Sequence, residues 1–150
     1  MNNFILPRKA SRLITLQRIE LISPFLKKLR KIFGRYFFSS FVTKYFLNSS
    51  VIGKKYYEIM LKEFLTIEKF INVEDKFFLS IGGGMGGLEL IVNQSFHNRN
   101  YYFIERNYIS KKIKYGWGGK VNDEAYNDLS IQKSFLLTNG MQNSQINIFD

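Results

Sequence analysis

The stretch Phe77-Phe78-Leu79-Ser80-Ile81-Gly82-Gly83-Gly84-Met85-Gly86-Gly87-Leu88-Glu89-Leu90-Ile91-Val92 decides the fold. Phe77, Phe78, Leu79 and Ile81 form a short apolar run that stops at glycine, the pattern of a fully buried strand. After the glycines, Leu88, Leu90, Ile91 and Val92 begin a helix, which Asn98-Arg99-Asn100 breaks. Strand, glycine turn and helix in succession give the glycines a physical job. Glycine takes positive φ without penalty and lets a ligand approach the backbone closely. The helix that starts there points its free N–H groups and positive dipole end at that ligand.

Downstream, Tyr101 to Ile104 form a second apolar strand ending at Glu105, 23 residues after Gly82. A second glycine-rich loop, Gly116-Trp117-Gly118-Gly119, follows Lys111, Lys112 and Lys114. Residues 123–139 read as a helix, with Ala125, Leu129, Gln132 and Leu136 on one side and Gly140 at its C-cap. Ile146 to Phe149 form a third strand ending at Asp150. Strands alternating with helices predict a parallel sheet with right-handed crossovers. Carboxyl ends of adjacent parallel strands lie side by side at the ligand crevice, which brings Glu105 to the glycine loop. A carboxylate there accepts hydrogen bonds from both hydroxyls of a ribose. Glycine loop and acid at this spacing make a nucleoside-cofactor constellation.

Upstream, residues 1–72 read as a helical, basic region, distinct from 73–150. The first nine residues, with Pro7 and Arg8-Lys9, fit a loose, exposed lead-in. Residues 11–22 read as a helix, with Ser11 as its cap and Leu13, Leu16, Ile19 and Ile22 at three-residue spacing. Ser23 and Pro24 then restart the chain as N-cap and first helical position. Phe25, Leu26, Leu29, Ile32 and Phe33 make one apolar stripe, with Lys27, Lys28, Arg30, Lys31 and Arg35 around it and Gly34 as the stop. Such a helix keeps a solvated basic face, lies on an anionic membrane through residues 24–35, or binds phosphate. Residues 35–48 are aromatic-rich and fit helix or strand. In 54–71, Tyr57, Met60, Leu61, Phe64, Ile67 and Ile71 follow helical spacing, interrupted by Glu68.

The chain has 150 residues, about one domain by size. Its 45% hydrophobic content excludes a disordered composition. The absence of cysteine excludes a disulfide scaffold and thiolate chemistry. With His97 as sole histidine, a multi-His metal site within one chain is excluded too. No apolar run has the length of a membrane span and no secretory signal is present, so a cytoplasmic protein is expected. The formal net charge of +10 sits wholly in residues 1–72, with 14 basic and 4 acidic side chains; residues 73–150 carry eight of each. Lys, Asn, Ile, Phe and Tyr supply 69 of the 150 residues, a bias that matches AT-rich coding and inflates lysine. Nucleic acid is therefore not the expected partner, despite the basic balance.

The glycine segment resembles the first motif of class I S-adenosyl-L-methionine-dependent methyltransferases, acid-x-Gly-x-Gly-x-Gly. Gly82, Gly84 and Gly86 match its glycines and Glu105 matches the acid that binds the cofactor ribose. Asp150 stands where the residue near the adenine is found. The resemblance covers residues 76–150, and it implies an α/β fold, an incomplete Rossmann-like parallel sheet of about three strands preceded by a helical region. It also implies a cofactor-binding set of Ser80, Gly82, Gly83, Gly84, Met85, Gly86, Glu105 and Asp150. Ser80 departs from the motif, since the family has an acid there that helps orient the loop and the cofactor's amino group. Serine keeps a hydrogen bond but supplies no charge. A related sheet has about seven strands, so the chain reads as truncated, with doubtful activity alone. The implied reaction is methyl transfer to a small molecule, a sugar hydroxyl preferred, with no metal and no identified catalytic base. His97, in the turn before the second strand, is expected on the surface, and Tyr115 and Trp117 either cover the adenosine or pack the loop.

Two alternatives stand beside this. Gly82, Gly84 and Gly87 also satisfy G-x-G-x-x-G, with Glu105 at the distance of an NAD(P) ribose contact. The basic N-terminal half also fits a non-catalytic protein docked on an anionic membrane.

Overall fold

The computed structural model describes residues 3–28, 32, 41, 45–109 and 126–150. The expectations placed on Leu29 to Lys31, on Phe33 to Arg35, on most of 35–48 and on Lys111 to Ala125 lie outside the described residues. Helices α1 (Arg8–Gln17) and α2 (Ser49–Ile67) precede strand β1 (Phe77–Ile81), helix α3 (Gly87–Ser95) and strand β2 (Asn100–Ile104). Helix α4 (Leu129–Thr138) and strand β3 (Ile146–Phe149) follow. The strands pair in parallel in the order β1-β2-β3. The chain is thus the expected α/β protein, N-terminal helices followed by parallel strands alternating with helices.

The sheet has one covered face. Ser80 of β1, Tyr101 and Phe103 of β2 and Ile146 of β3 are buried against the helices. On the other face Phe77, Leu79 and Ile81 are 65%, 59% and 72% exposed, beside exposed Ile104 and Phe149. The expectation that β1 is fully buried is corrected: an apolar run reads alike whether one face or two are covered. The Tyr102 ring lies parallel to that of Phe149 at 6.4 Å and tilts against Phe77 at 6.0 Å, forming an aromatic row on the exposed face.

The core lies on the covered side, and residues from both halves of the chain build it. Of residues 3–9, Pro7, Arg8 and Lys9 are exposed as expected, but Phe4 and Leu6 are buried and are no loose lead-in. Phe4 is buried and packs against Tyr56, Tyr57 and Phe135. Ile5 N–H donates to Asn139 Oδ1 at 2.8 Å, and Asn139 Nδ2 donates back to Ile5 O at 2.9 Å. Asn139 thus acts like a short strand partner, a tie no local pattern announces. Ser11 is not a cap either. Helix α1 starts at Arg8, directly after Pro7, and buried Ser11 donates to Ser49 Oγ at 2.8 Å, tying α1 to the start of α2.

Helix α2 starts earlier than the apolar spacing predicts because the Asn48 side chain accepts from the N–H groups of Ser50 and Val51. Its buried line is Ile52, Tyr56, Met60 and Phe64, one position off the expected Tyr57 and Leu61, which sit at the flank. The restart at Ser23 is as expected, with Leu26 N–H donating to Ser23 Oγ at 3.3 Å and residues 24–28 helical.

These two corrections define a paired test. Phe4→Ala is expected to cost about 3 kcal/mol, although it lies at the chain start. Leu79→Thr, in the middle of a strand, is expected to stay within about 0.5 kcal/mol of the parent. Urea midpoints of both variants check the order.

Candidate ligand cleft at the glycine loop

The turn from β1 into α3 needs its glycines. Gly82, Gly84 and Gly86 have φ of +66°, +69° and +80°, a region costly for residues with a Cβ. At Gly83 the constraint is space instead: a Cβ would run into the Ser80 hydroxyl and lie 2.8 Å from Glu89 Oε1. At Gly84 a Cβ would stand 2.7 Å from Gln17 Oε1, so the end of α1 lies directly over the loop.

Glu105 leaves the end of β2 and turns back to this loop. Its Oε1 accepts the Gly84 N–H at 2.7 Å and its Oε2 accepts Asn127 Nδ2 at 3.4 Å. Asn127 is held in turn by Gln132 Oε1 at 3.1 Å. Burial pushes the Glu105 carboxyl above the ordinary carboxylate range, and the Gly84 and Asn127 hydrogen bonds oppose that rise. The predicted meeting of loop and acid is therefore realised, with Asn127 and Gln132 as unforeseen supports.

A cleft of about 560 Å³ opens at this point, within the range of small-molecule sites. Gly82, Gly83, Gly84, Glu105 and Asn127 line it together with Gln17, Arg18 and Glu20 from the N-terminal region; Arg106 and Tyr126 complete it. Gln17 Nε2 donates to Tyr126 O at 2.7 Å, which joins these two parts of the lining. Burial alone would lower the Arg18 guanidinium, but hydrogen bonding and charge from Glu63 outweigh it and leave it raised.

The other expected site residues lie elsewhere. Met85 is wholly buried in the core, and Gly86 sits against Leu136 and Phe103. Asp150 is exposed and accepts the Asn107 N–H at 3.0 Å, away from the cleft lining. His97 is exposed in the turn before β2. The first N–H of α3 does not point at open space as expected. Gly87 N–H donates to the buried Tyr56 hydroxyl at 3.2 Å. Burial, with the nearby Glu89, pushes that phenol far up, which keeps it neutral.

Ser80 is buried and its hydroxyl donates to Glu89 Oε1. Glu89, in the first turn of α3, is itself buried, and its Oε2 has no hydrogen-bond partner among the described residues. Burial pushes its carboxyl up, while the Ser80 hydrogen bond and the Arg18 charge oppose this. A carboxyl group therefore does stand at Ser80, delivered from the helix instead of the strand. Its trace in the sequence is one acid inside the apolar run Leu88 to Val92.

Among the described residues no cluster of three or more His, Asp or Glu side chains is placed to hold a metal ion. No described helix is long and apolar enough to cross a membrane. No family model, curated protein or solved structure matches the chain.

The buried acid has a pH signature. A carboxyl raised on folding keeps its proton in the folded chain after the unfolded chain has lost it, so stability falls as pH rises through that interval. Glu89→Gln retains the acceptor for Ser80 and removes the titration. It is expected to be more stable than the parent at pH 8, on the order of 1 kcal/mol, with the advantage shrinking toward pH 4. Urea unfolding at both pH values checks the sign.

Proposed function

We propose that the chain binds S-adenosyl-L-methionine in this cleft and serves methyl transfer to a small-molecule acceptor, a sugar hydroxyl being the preferred class. The observation that carries the reading is the convergence of positive-φ glycines and the Glu105 carboxylate on one cleft. The residues present fit the cofactor. Gly82, Gly83 and Gly84 line the cleft, with open space where a Gly82 Cβ would stand, and Glu105 supplies the acceptor for a ribose diol. Glu89 puts a carboxyl at the position where Ser80 departs from the family motif. When bound, the cofactor supplies a methyl group already activated on a sulfonium. The chain's own part is to hold and orient: Glu105 fixes the sugar, Asn127 fixes Glu105, and Gln17 lies over the loop.

The dinucleotide alternative asks for a diphosphate at the start of α3. That N-terminus is occupied, since Gly87 N–H is taken by Tyr56 and Met85, Gly86 and Gly87 are buried. A diphosphate at the loop would also face Glu105. Both observations support the sulfonium cofactor over NAD(P). The membrane reading draws on Phe25 and Ile32, which are 68% and 74% exposed; failure to co-sediment with anionic liposomes removes it.

Calorimetry with S-adenosylhomocysteine and NAD tests the proposal. S-adenosylhomocysteine is expected to bind, and Glu105→Ala to weaken it at least about tenfold, the loss of hydrogen bonds to a charged group. NAD binding without S-adenosylhomocysteine binding overturns the reading.

A further inference from the structure

The N-terminal side of the cleft carries charges that the glycine loop and Glu105 do not use. Arg18, the residue that ends α1, and Glu20 both line the cleft. Arg18 Nη1 donates to Glu63 Oε1 at 2.6 Å and Nη2 donates to Glu63 Oε2 at 3.1 Å. Glu63 thus holds the guanidinium in a two-pronged pair from α2 and fixes its plane. The same Nη1 also donates to Glu20 Oε1 at the longer distance of 3.3 Å. The Arg18 and Glu20 side chains are 31% and 47% exposed, so this second pair lies at the water-facing side.

The two ion pairs differ in kind. The Arg18–Glu63 pair is bidentate and short, and it joins two helices. The Arg18–Glu20 pair is a single long contact between neighbours in a turn, the type of exposed pair that contributes little. It is the exchangeable one. A ligand group that carries a carboxylate beside an ammonium can enter between the two side chains, giving its carboxylate to Arg18 and its ammonium to Glu20. One weak pair is then replaced by two, with no charge left unpaired.

We propose that Arg18 and Glu20 anchor the zwitterionic α-amino-acid end of the ligand, with Glu63 as the residue that positions Arg18. The inference rests on the cofactor reading above and extends it. It assigns to the basic N-terminal region a role in choosing between nucleosides with and without an amino-acid tail. Glu105 and the glycines hold the nucleoside end, which both kinds of ligand share.

The test compares S-adenosylhomocysteine with 5′-methylthioadenosine, which has the same nucleoside and no amino-acid tail, by calorimetry on the full chain. Arg18→Ala is expected to weaken S-adenosylhomocysteine about tenfold or more. It is expected to leave 5′-methylthioadenosine within about twofold, the small effect of a substitution away from the groups that ligand touches. Glu20→Gln is expected to weaken S-adenosylhomocysteine about threefold, the size of an exposed ion pair, with the same indifference toward 5′-methylthioadenosine. Glu20 is exposed, so its variant decides the matter if Arg18→Ala does not fold. Unchanged S-adenosylhomocysteine affinity in the folded variants overturns the anchor and leaves the cofactor reading standing. Equal loss of both ligands overturns it too. A parent chain that binds neither nucleoside overturns the anchor together with the cofactor reading.

Discussion

Three parallel strands laid down in the order β1-β2-β3 must be joined by crossovers that pass over the same face of the sheet. The rest of the structure depends on that constraint. Tyr101, Phe103 and Ile146 face the helices, and the large buried apolar side chains gather in the same one-sided core. The N-terminal helices join that side too, since α2 packs along α3 and α1 reaches α4. The opposite face keeps Phe77, Leu79, Ile81 and Phe149 in contact with water. Parallel sheets usually bury both faces, so this apolar face is the feature of the fold least in keeping with its class.

The one-sided arrangement also explains why the N-terminal region reaches the cleft. Tyr56 of α2 is the connecting piece. Its ring lies in the core beside Phe4 and Phe135, and its hydroxyl takes the first N–H of α3. A helix start that is often left open for an anion is thereby closed by a neutral donor–acceptor group. The open cleft lies instead at Gly82, Gly83 and Gly84, where Gln17 and Arg18 stand. The domain division expected from charge describes composition well, but the core and the cleft each draw on both sides of it.

Glu89 and Ser80 form a buried pair beneath the glycine loop. The strand end beneath the loop offers the hydroxyl of Ser80. Helix α3 turns Glu89 inward to pair with that hydroxyl, which buries an acid whose second oxygen has no partner among the described residues. Burial pushes that carboxyl upward, against the Ser80 hydrogen bond. Gly83 must remain glycine because these two side chains fill the space beside it.

Much of the molecule was legible in the residue order. Apolar runs ending at Gly82, Glu105 and Asp150 located the three strands within a residue, because a strand end is marked locally by where the apolar pattern stops. The meeting of Gly84 with Glu105 was legible for a similar reason, since parallel pairing puts successive strand ends together. Gly140 was readable as a helix stop, and it follows the C-cap Asn139 with φ of +96°. What stayed hidden depended on contacts between residues far apart in sequence. Phe4 and Ile5 look like a free end until Asn139 and Phe135 arrive beside them. Helical spacing points to Tyr57, whereas the buried ring that meets the amide of Gly87 is Tyr56. The run Phe77 to Ile81 is equally apolar whether one face or both are covered. The sequence by itself determined the order and direction of the strands and the chemistry at their ends, because those follow from local pattern and from the handedness of the chain. Only the tertiary structure decided which face is buried, which carboxyl stands under the loop and which helix end walls the cleft, because each depends on where helices from the other half of the chain come to rest.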